Sequence, residues 1–333
     1  MSIYPILKDS LEKGEISEKL HTVFLKLYTT YLQSLEQDGL SMPEHEEVFF
    51  DLFNLMKIQI ENPYLFESYH QKIRRPIDYA EFGLRFVRPL LNREKSRLLH
   101  RDNLEKISSQ IARNENVILF ANHQTEVDPQ LMTLLLEESY PQIGNEAIFV
   151  AGDRVLIDPM AVPFSMGCNL LCIYSKRHID NPPEKKEEKQ RHNQKTMRVL
   201  RDLLIEGGKC VYVAPSGGRD RPDAQGEVVV APFDPQSIEM FHLMAKQAKT
   251  PTHFYPLSLV TFDILPPPQS IQKELGEERS AKREGALFSF GEEIDMANFP
   301  GSDVQDRHAK RSARAMYIWN LVKTEYQNMK QPK

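Results

Sequence analysis

The sequence predicts an α/β protein: a small N-terminal helical bundle followed by a larger α/β domain with a mostly parallel mixed sheet flanked by helices. Two observations carry this reading. Apolar residues recur at three- and four-residue spacings through the first 75 residues, the period of an amphipathic helix. After Arg75-Pro76 short apolar runs alternate with longer helical stretches, the pattern of parallel strands joined by helices. The boundary therefore divides a helical part, residues 1–75, from an α/β part, residues 76–333.

In the first part, Leu20, Val23, Phe24, Leu27, Tyr28 and Tyr31 mark a helix over 16–37, and Gly39 ends it. Ser41-Met42-Pro43 restarts a helix, with Val48, Phe49, Leu52, Phe53, Leu55 and Met56 as its buried stripe, and Asn62-Pro63 breaks it. Three or four helices are expected. In the second part, strands are expected at 117–120, 147–150, 170–174, 210–214, 255–262 and 287–290. Helices are expected from Pro129 to about Ser139, from Glu184 to Glu206 with Gly207-Gly208 as its stop, and from Arg307 to Met329.

Composition narrows the class. With 41% hydrophobic and 27% charged residues, the 333-residue chain reads as folded and water-soluble rather than disordered. No window of 18 apolar residues suggests a transmembrane helix. The first residues lack the basic start and apolar core of a signal peptide and the Arg/Ser richness of a transit peptide. The expectation is a cytoplasmic protein or the mature form of an organellar one. Cys168, Cys172 and Cys210 have no metal-ligand spacing, so neither a metal nor a disulfide is expected, and on apolar runs they read as inert packing. A net charge of −5 gives no reason to expect nucleic acid, yet the stretches 72–101 and 176–201 are locally basic and suit an anionic partner or a solvated face.

Three segments carry chemistry, each just past an expected strand. The first is Asn122-His123-Gln124-Thr125-Glu126-Val127-Asp128-Pro129. A His with an Asp in reach has the parts of a general base and its orienter, which a hydroxyl needs in order to attack a thioester. Asp128-Pro129 is equally an ordinary helix start, with Asp as the cap. The second is Ala214-Pro215-Ser216-Gly217-Gly218-Arg219-Asp220-Arg221-Pro222. Its glycines let backbone approach a ligand, and its two arginines can fork onto a phosphate. A surface turn in which the arginines pair with Asp220 and Asp223 is the alternative. Ser216 lacks the Gly-x-Ser-x-Gly elbow of a serine nucleophile. The third is Lys176-Arg177-His178, which suits a dianion or the solvated start of a charged loop.

At these residues the chain resembles the soluble glycerol-3-phosphate acyltransferases of the plastid type, also found in some bacteria. The resemblance rests on Asn122 to Pro129, Phe164 to Leu170, Tyr174-Ser175-Lys176, Ala214 to Asp223, Ala231-Pro232-Phe233-Asp234 and Tyr255-Pro256-Leu257-Ser258. It covers most of residues 80–295. It implies acyl transfer from acyl-carrier protein or acyl-CoA to the sn-1 hydroxyl of glycerol 3-phosphate, with no metal or bound cofactor and no covalent enzyme intermediate. It also implies that His123 is the base, Asp128 its orienter, and Arg177, His178, Arg219 and Arg221 the phosphate ligands, with Lys176 sharing that task. Arg177 stands where plant relatives carry a lysine, and Cys168 where they carry a basic residue, so no role carries over to Cys168. Backbone amides near Gly217, Gly218 or Pro129 are candidates for stabilising the oxyanion, and the stretch 164–171 for lining an acyl groove. A lysophosphatidate acyltransferase, a phosphoester hydrolase and a non-catalytic anionic-lipid binding module remain alternatives.

Overall fold

The computed structural model describes residues 3–40, 43–175, 179–268 and 276–331. Three helices open the chain: α1 (Tyr4–Glu12), α2 (Glu18–Gln37) and α3 (Pro43–Glu61). Ser17 caps α2 by accepting the Leu20 N–H at 3.2 Å, and Gly39, at φ +71°, follows its end in a conformation that costs glycine little. Phe49 of α3 receives the rings of Phe24, Tyr28 and Tyr31 edge-on at 6.0, 5.1 and 4.9 Å. Such edge contacts favour one mutual rotation of the two helices.

Next come β1 (Tyr69–His70), α4 (Tyr79–Val87), β2 (Arg97–Leu99), α5 (Arg101–Ala112), β3 (Asn116–Ala121) and α6 (Asp128–Leu136). They are followed by α7 (Pro141–Glu146), β4 (Ile148–Gly152), α8 (Val162–Met166), β5 (Asn169–Ile173), α9 (Lys186–Glu206) and β6 (Cys210–Val213). A short hairpin, β7 (Arg221–Pro222) and β8 (Val228–Val229), precedes α10 (Pro235–Ala248), β9 (Thr252–Val260), β10 (Leu287–Phe290) and α11 (Arg307–Lys330).

Eight strands form one sheet in the order β1-β5-β4-β6-β3-β9-β10-β2. The five central strands, β5 to β9 in that order, run parallel, while β1 and β10 pair antiparallel with their inner neighbours. Every residue of β3 is buried, as a central strand covered on both faces requires. Its side chains alternate between two cores. Val117, Leu119 and Ala121 join α1–α8 on one face, and Ile118 and Phe120 join α9, α10 and α11 on the other. The result is three layers, helix on sheet on helix. The N-terminal helices share the first of these cores with the sheet. Tyr31 of α2 donates to the Phe86 carbonyl of α4 at 2.8 Å, tying the two parts together.

Several boundaries differ from the sequence expectation. The strand expected from Tyr255 begins at Thr252, because β9 runs along β3 from Asn116 onwards. The helix expected to reach Ser139 ends at Leu136, and the one expected from Glu184 opens with a 3-10 turn before Lys186. The short edge strands β1 and β2 are too brief to show a period of two, so they were invisible in the sequence.

Candidate active site

The carboxyl ends of neighbouring parallel strands collect the residues singled out above. β3 runs into Asn122 to Val127, β6 into the loop 214–220, and β9 into Thr261. Crevices outside such strand ends are where open α/β sheets bind ligands.

His123 Nδ1 lies 2.8 Å from Asp128 Oδ2. The imidazole is about a quarter exposed, whereas the Asp128 side chain is buried. The same Oδ2 accepts the Gln124 N–H at 2.9 Å and the Thr125 N–H at 3.3 Å, and Oδ1 accepts the Thr261 hydroxyl at 2.6 Å. These contacts do not fit the helix-cap reading of Asp128. An N-cap would turn its oxygens onto amides of the following turn, but these oxygens face back along the loop, and Val127 occupies the cap position. With both oxygens occupied by donors, the carboxylate is held in one orientation against the ring.

The two loops are locked to one another. Asp220 donates its backbone N–H to the His123 carbonyl at 2.6 Å. Its carboxyl accepts Asn122 Nδ2 at 2.8 Å, Gln124 Nε2 at 3.2 Å and the Ala231 N–H at 2.9 Å. Burial pushes this carboxyl up to about 6, against the lowering pull of Ala231, Asn122 and Gln124. Asn122 and Gln124, the neighbours of His123, also hold the end of β9. Asn122 Oδ1 accepts Leu259 N–H at 2.7 Å, and Gln124 Oε1 accepts the Thr261 N–H at 2.7 Å. The imidazole thus stands on a stretch of chain braced by β6 and β9 together.

The segment 214–222 is not the surface turn in which Asp220 and Asp223 neutralise the arginines. Asp220 is buried, and Asp223 accepts the backbone amides of Gln225 and Glu227. Arg219 is paired with Glu277, and Arg221 donates to the Pro268 carbonyl. Gly217, at φ +65°, donates its N–H to the Ala214 carbonyl at 3.1 Å, so that amide closes the turn. Ser216 donates to the Gly218 carbonyl at 2.9 Å. Lys176, Arg177 and His178 lie outside the described residues; Ser175, just before them, follows β5 on the same crest of the sheet.

A buried ionic group that no sequence spacing signals lies beside the site. Arg279 grips Glu126 at 2.5 and 3.0 Å and lies 3.3 Å from Asp158, with all three side chains buried. Burial alone would raise the Asp158 carboxyl, but Arg279 and the N–H groups of Met160 and Gly276 hold it below the usual carboxylate range. Thr261 and Arg279 sit 133 and 153 residues from their acidic partners, beyond any spacing rule. Arg154, in the 3-10 turn after β4, did carry a readable signal: a cation just past a strand.

Other expectations divide. Phe164, Met166, Leu170 and Leu171 are buried, with Phe164 packed on Phe82 and Phe86 at 5.3 and 5.1 Å, so this stretch is core rather than an open groove wall. Burial pushes the thiols of Cys168, Cys172 and Cys210 up to about 12, which leaves them protonated and inert. In the basic stretch 72–101, Lys72, Arg74, Arg85, Arg88, Arg93 and Lys95 pair with acids of the same chain. Among the described residues no cluster of His, Cys, Asp and Glu could hold a metal ion, and no helix is long and apolar enough to cross a membrane.

The chain is similar to known acyltransferases. Residues 100–260, which run from the start of α5 to the end of β9, match the Acyltransferase family. Glycerol-3-phosphate acyltransferase, chloroplastic, of Arabidopsis thaliana is 34% identical over 325 residues, covering 96% of this chain and 70% of that protein. The enzyme of the same name from Spinacia oleracea is 35% identical, covering 97% and 69%, and that from Carthamus tinctorius is 35% identical, covering 96% and 70%. The chain belongs to the glycerol-3-phosphate acyltransferase family. A solved 1-acyl-sn-glycerophosphate (LPA) acyltransferase, PlsC, from Thermotoga maritima aligns over 94% of this chain and 97% of its own, at 17% identity and a TM-score of 0.41.

Proposed function

We propose that this enzyme transfers a fatty acyl group from a thioester donor to the sn-1 hydroxyl of glycerol 3-phosphate, giving 1-acylglycerol 3-phosphate. The observation that carries the reading is the buried Asp128 carboxylate, held by two backbone amides and Thr261, set 2.8 Å from Nδ1 of a partly exposed His123. With Nδ1 hydrogen-bonded to Asp128, Nε2 is the nitrogen left to act as the base.

The acceptor phosphate binds to Arg219 and Arg221, with Arg177, His178 and Lys176 completing the cationic pocket. Held there, the sn-1 hydroxyl gives its proton to His123 Nε2 as its oxygen attacks the thioester carbonyl carbon. Asp128 stabilises the imidazolium that forms. The tetrahedral intermediate then expels the thiolate, which takes the proton from His123. A positioned base contributes roughly 10²–10⁴ in rate. The Gly218 amide is the oxyanion donor in this reading, since the Gly217 amide already closes the turn. No nucleophile is acylated; Ser216 is engaged with the Gly218 carbonyl.

The donor in this reading is acyl-carrier protein, with acyl-CoA as a second donor. An acidic carrier suits α9, where Arg191, Lys195 and Arg198 are exposed at i, i+4 and i+7 on one helix face. Asn193, on the opposite side of the helix, exchanges hydrogen bonds of 2.8 and 2.9 Å with the backbone of Tyr174, which anchors α9 to the carboxyl end of β5. The protein then works in a bacterial cytoplasm or in the plastid stroma, handing its product to a membrane.

The test is transfer of label from acyl-carrier protein and from acyl-CoA to glycerol 3-phosphate by the purified chain. Lysophosphatidate is the expected product. Acylation of lysophosphatidate instead, or release of inorganic phosphate without any donor, would replace this reading.

A further inference from the structure

Two arginines from different strands meet on one carboxylate. Arg219, in the loop after β6, binds Glu277 Oε2, and Arg154, in the turn after β4, places Nη2 3.4 Å from Oε1 of the same residue. The side chains of Arg219, Arg154 and Glu277 are 16, 23 and 7% exposed. This is a built and largely dry place for an anion, not a pair of surface charges. β4 and β6 are parallel neighbours, and β6 in turn neighbours β3, so Arg154, Arg219 and His123 leave the sheet along one crest.

We propose that Arg154 binds the phosphate of the acceptor together with Arg219, the Glu277 carboxylate keeping the two guanidinia converged in the ligand-free protein. This rests on the reading given under Proposed function. A guanidinium fork accepts a carboxylate or a phosphate with the same geometry, so two forks that converge on the first also converge on the second. Arg279 does not share this role. It is buried and committed to Glu126 and Asp158. Arg154 is the cation that places β4 on the same footing as β6 among the strands that feed the phosphate pocket.

The experiment compares wild type with Arg154→Gln, Arg154→Lys and Arg219→Gln. It reads the KM for glycerol 3-phosphate, the KM for the acyl donor, competitive inhibition by inorganic phosphate, and the Tm. Arg154→Gln is expected to raise the acceptor KM and the phosphate inhibition constant each about tenfold, as loss of one charge-assisted contact does, and to leave the donor KM unchanged. Arg154→Lys, with the charge but not the fork, is expected to fall between. An acceptor KM and phosphate constant within about twofold of wild type in Arg154→Gln, with Arg219→Gln impaired, overturns the inference and leaves the phosphate site in place. If Arg219→Gln is also unimpaired, the phosphate site itself falls with it. Should Arg154→Gln not fold, Arg154→Lys decides: a several-fold rise in acceptor KM supports the inference, and an unchanged value overturns it. Should wild type make no lipid, the proposed reaction fails, and calorimetric binding of inorganic phosphate to wild type and Arg154→Gln still decides this point.

Discussion

Asp128 accepts four hydrogen bonds, and Thr261 supplies the one at 2.6 Å from the end of a different strand. If that donor fixes the carboxylate against His123, Thr261→Val should lower kcat by roughly 10-fold or more, the equivalent of about 1.5–3 kcal/mol for a hydrogen bond to a charged group. The KM for glycerol 3-phosphate should change little; steady-state kinetics separates the two. The pairing of His123 with Asp128 was legible in the sequence, because both lie in one loop. Thr261 was not, because only the parallel pairing of β3 with β9 brings it to Asp128. A second residue, His242, makes a prediction about pH. It is buried, its Nδ1 has no hydrogen-bond partner among the described residues, and burial, with Arg314 and Lys246 nearby, lowers its pKa to about 4. A folded-state pKa below the unfolded value of about 6.5 means that the stabilisation is present above pH 6.5 and is lost as pH falls through 4. His242→Phe, beside the Phe254 ring, should therefore lose less Tm between pH 7 and pH 4.5 than wild type does, as thermal melts at the two pH values would show.

Elements were legible where they are long and periodic. α2, α9 and α11 appear close to where the spacing puts them. α10 was overlooked although Asp234-Pro235 repeats the helix-start signal of Asp128-Pro129, and here the Asp does cap, accepting the Gln236 and Ser237 amides. α8, five residues long, has no period to read, and its importance lies in packing. Just beyond it, an added Cβ on Gly167 would stand 2.4 Å from the Tyr79 carbonyl oxygen and 2.9 Å from Ala80 Cα. Those are backbone atoms at the start of α4, so they cannot swing aside. Gly167→Ala should therefore destabilise the protein by at least about 1–3 kcal/mol, measured as a shift in denaturation midpoint at unchanged slope. A neutral result would mean that α4 can move away from α8.

At the scale of the whole molecule, the three layers put His123, Asp128, Arg219 and Arg221 past the carboxyl ends of the neighbouring parallel strands β3 and β6, and the alternation of strands and helices made that address readable in advance. The sequence did not reveal that the N-terminal helices share a core with the sheet, or that most of the basic stretch 72–101 is spent on internal ion pairs. In the function proposed above, the face offered to an acidic carrier is that of α9, where Arg191 and Arg198 are exposed although Lys195 pairs with Glu67. Reversing charge at Arg191 and Arg198 should raise the KM for acyl-carrier protein about tenfold in low salt and leave the KM for glycerol 3-phosphate unchanged, with the difference shrinking as salt is added. The central claim is that His123 takes the hydroxyl proton. It is tested most directly by comparing wild type with His123→Ala in transfer of acyl groups to labelled glycerol 3-phosphate, with acceptor binding measured alongside. Labelled lysophosphatidate formation should fall by at least about 10²-fold while glycerol 3-phosphate still binds. Transfer by His123→Ala at near the wild-type rate would contradict the claim.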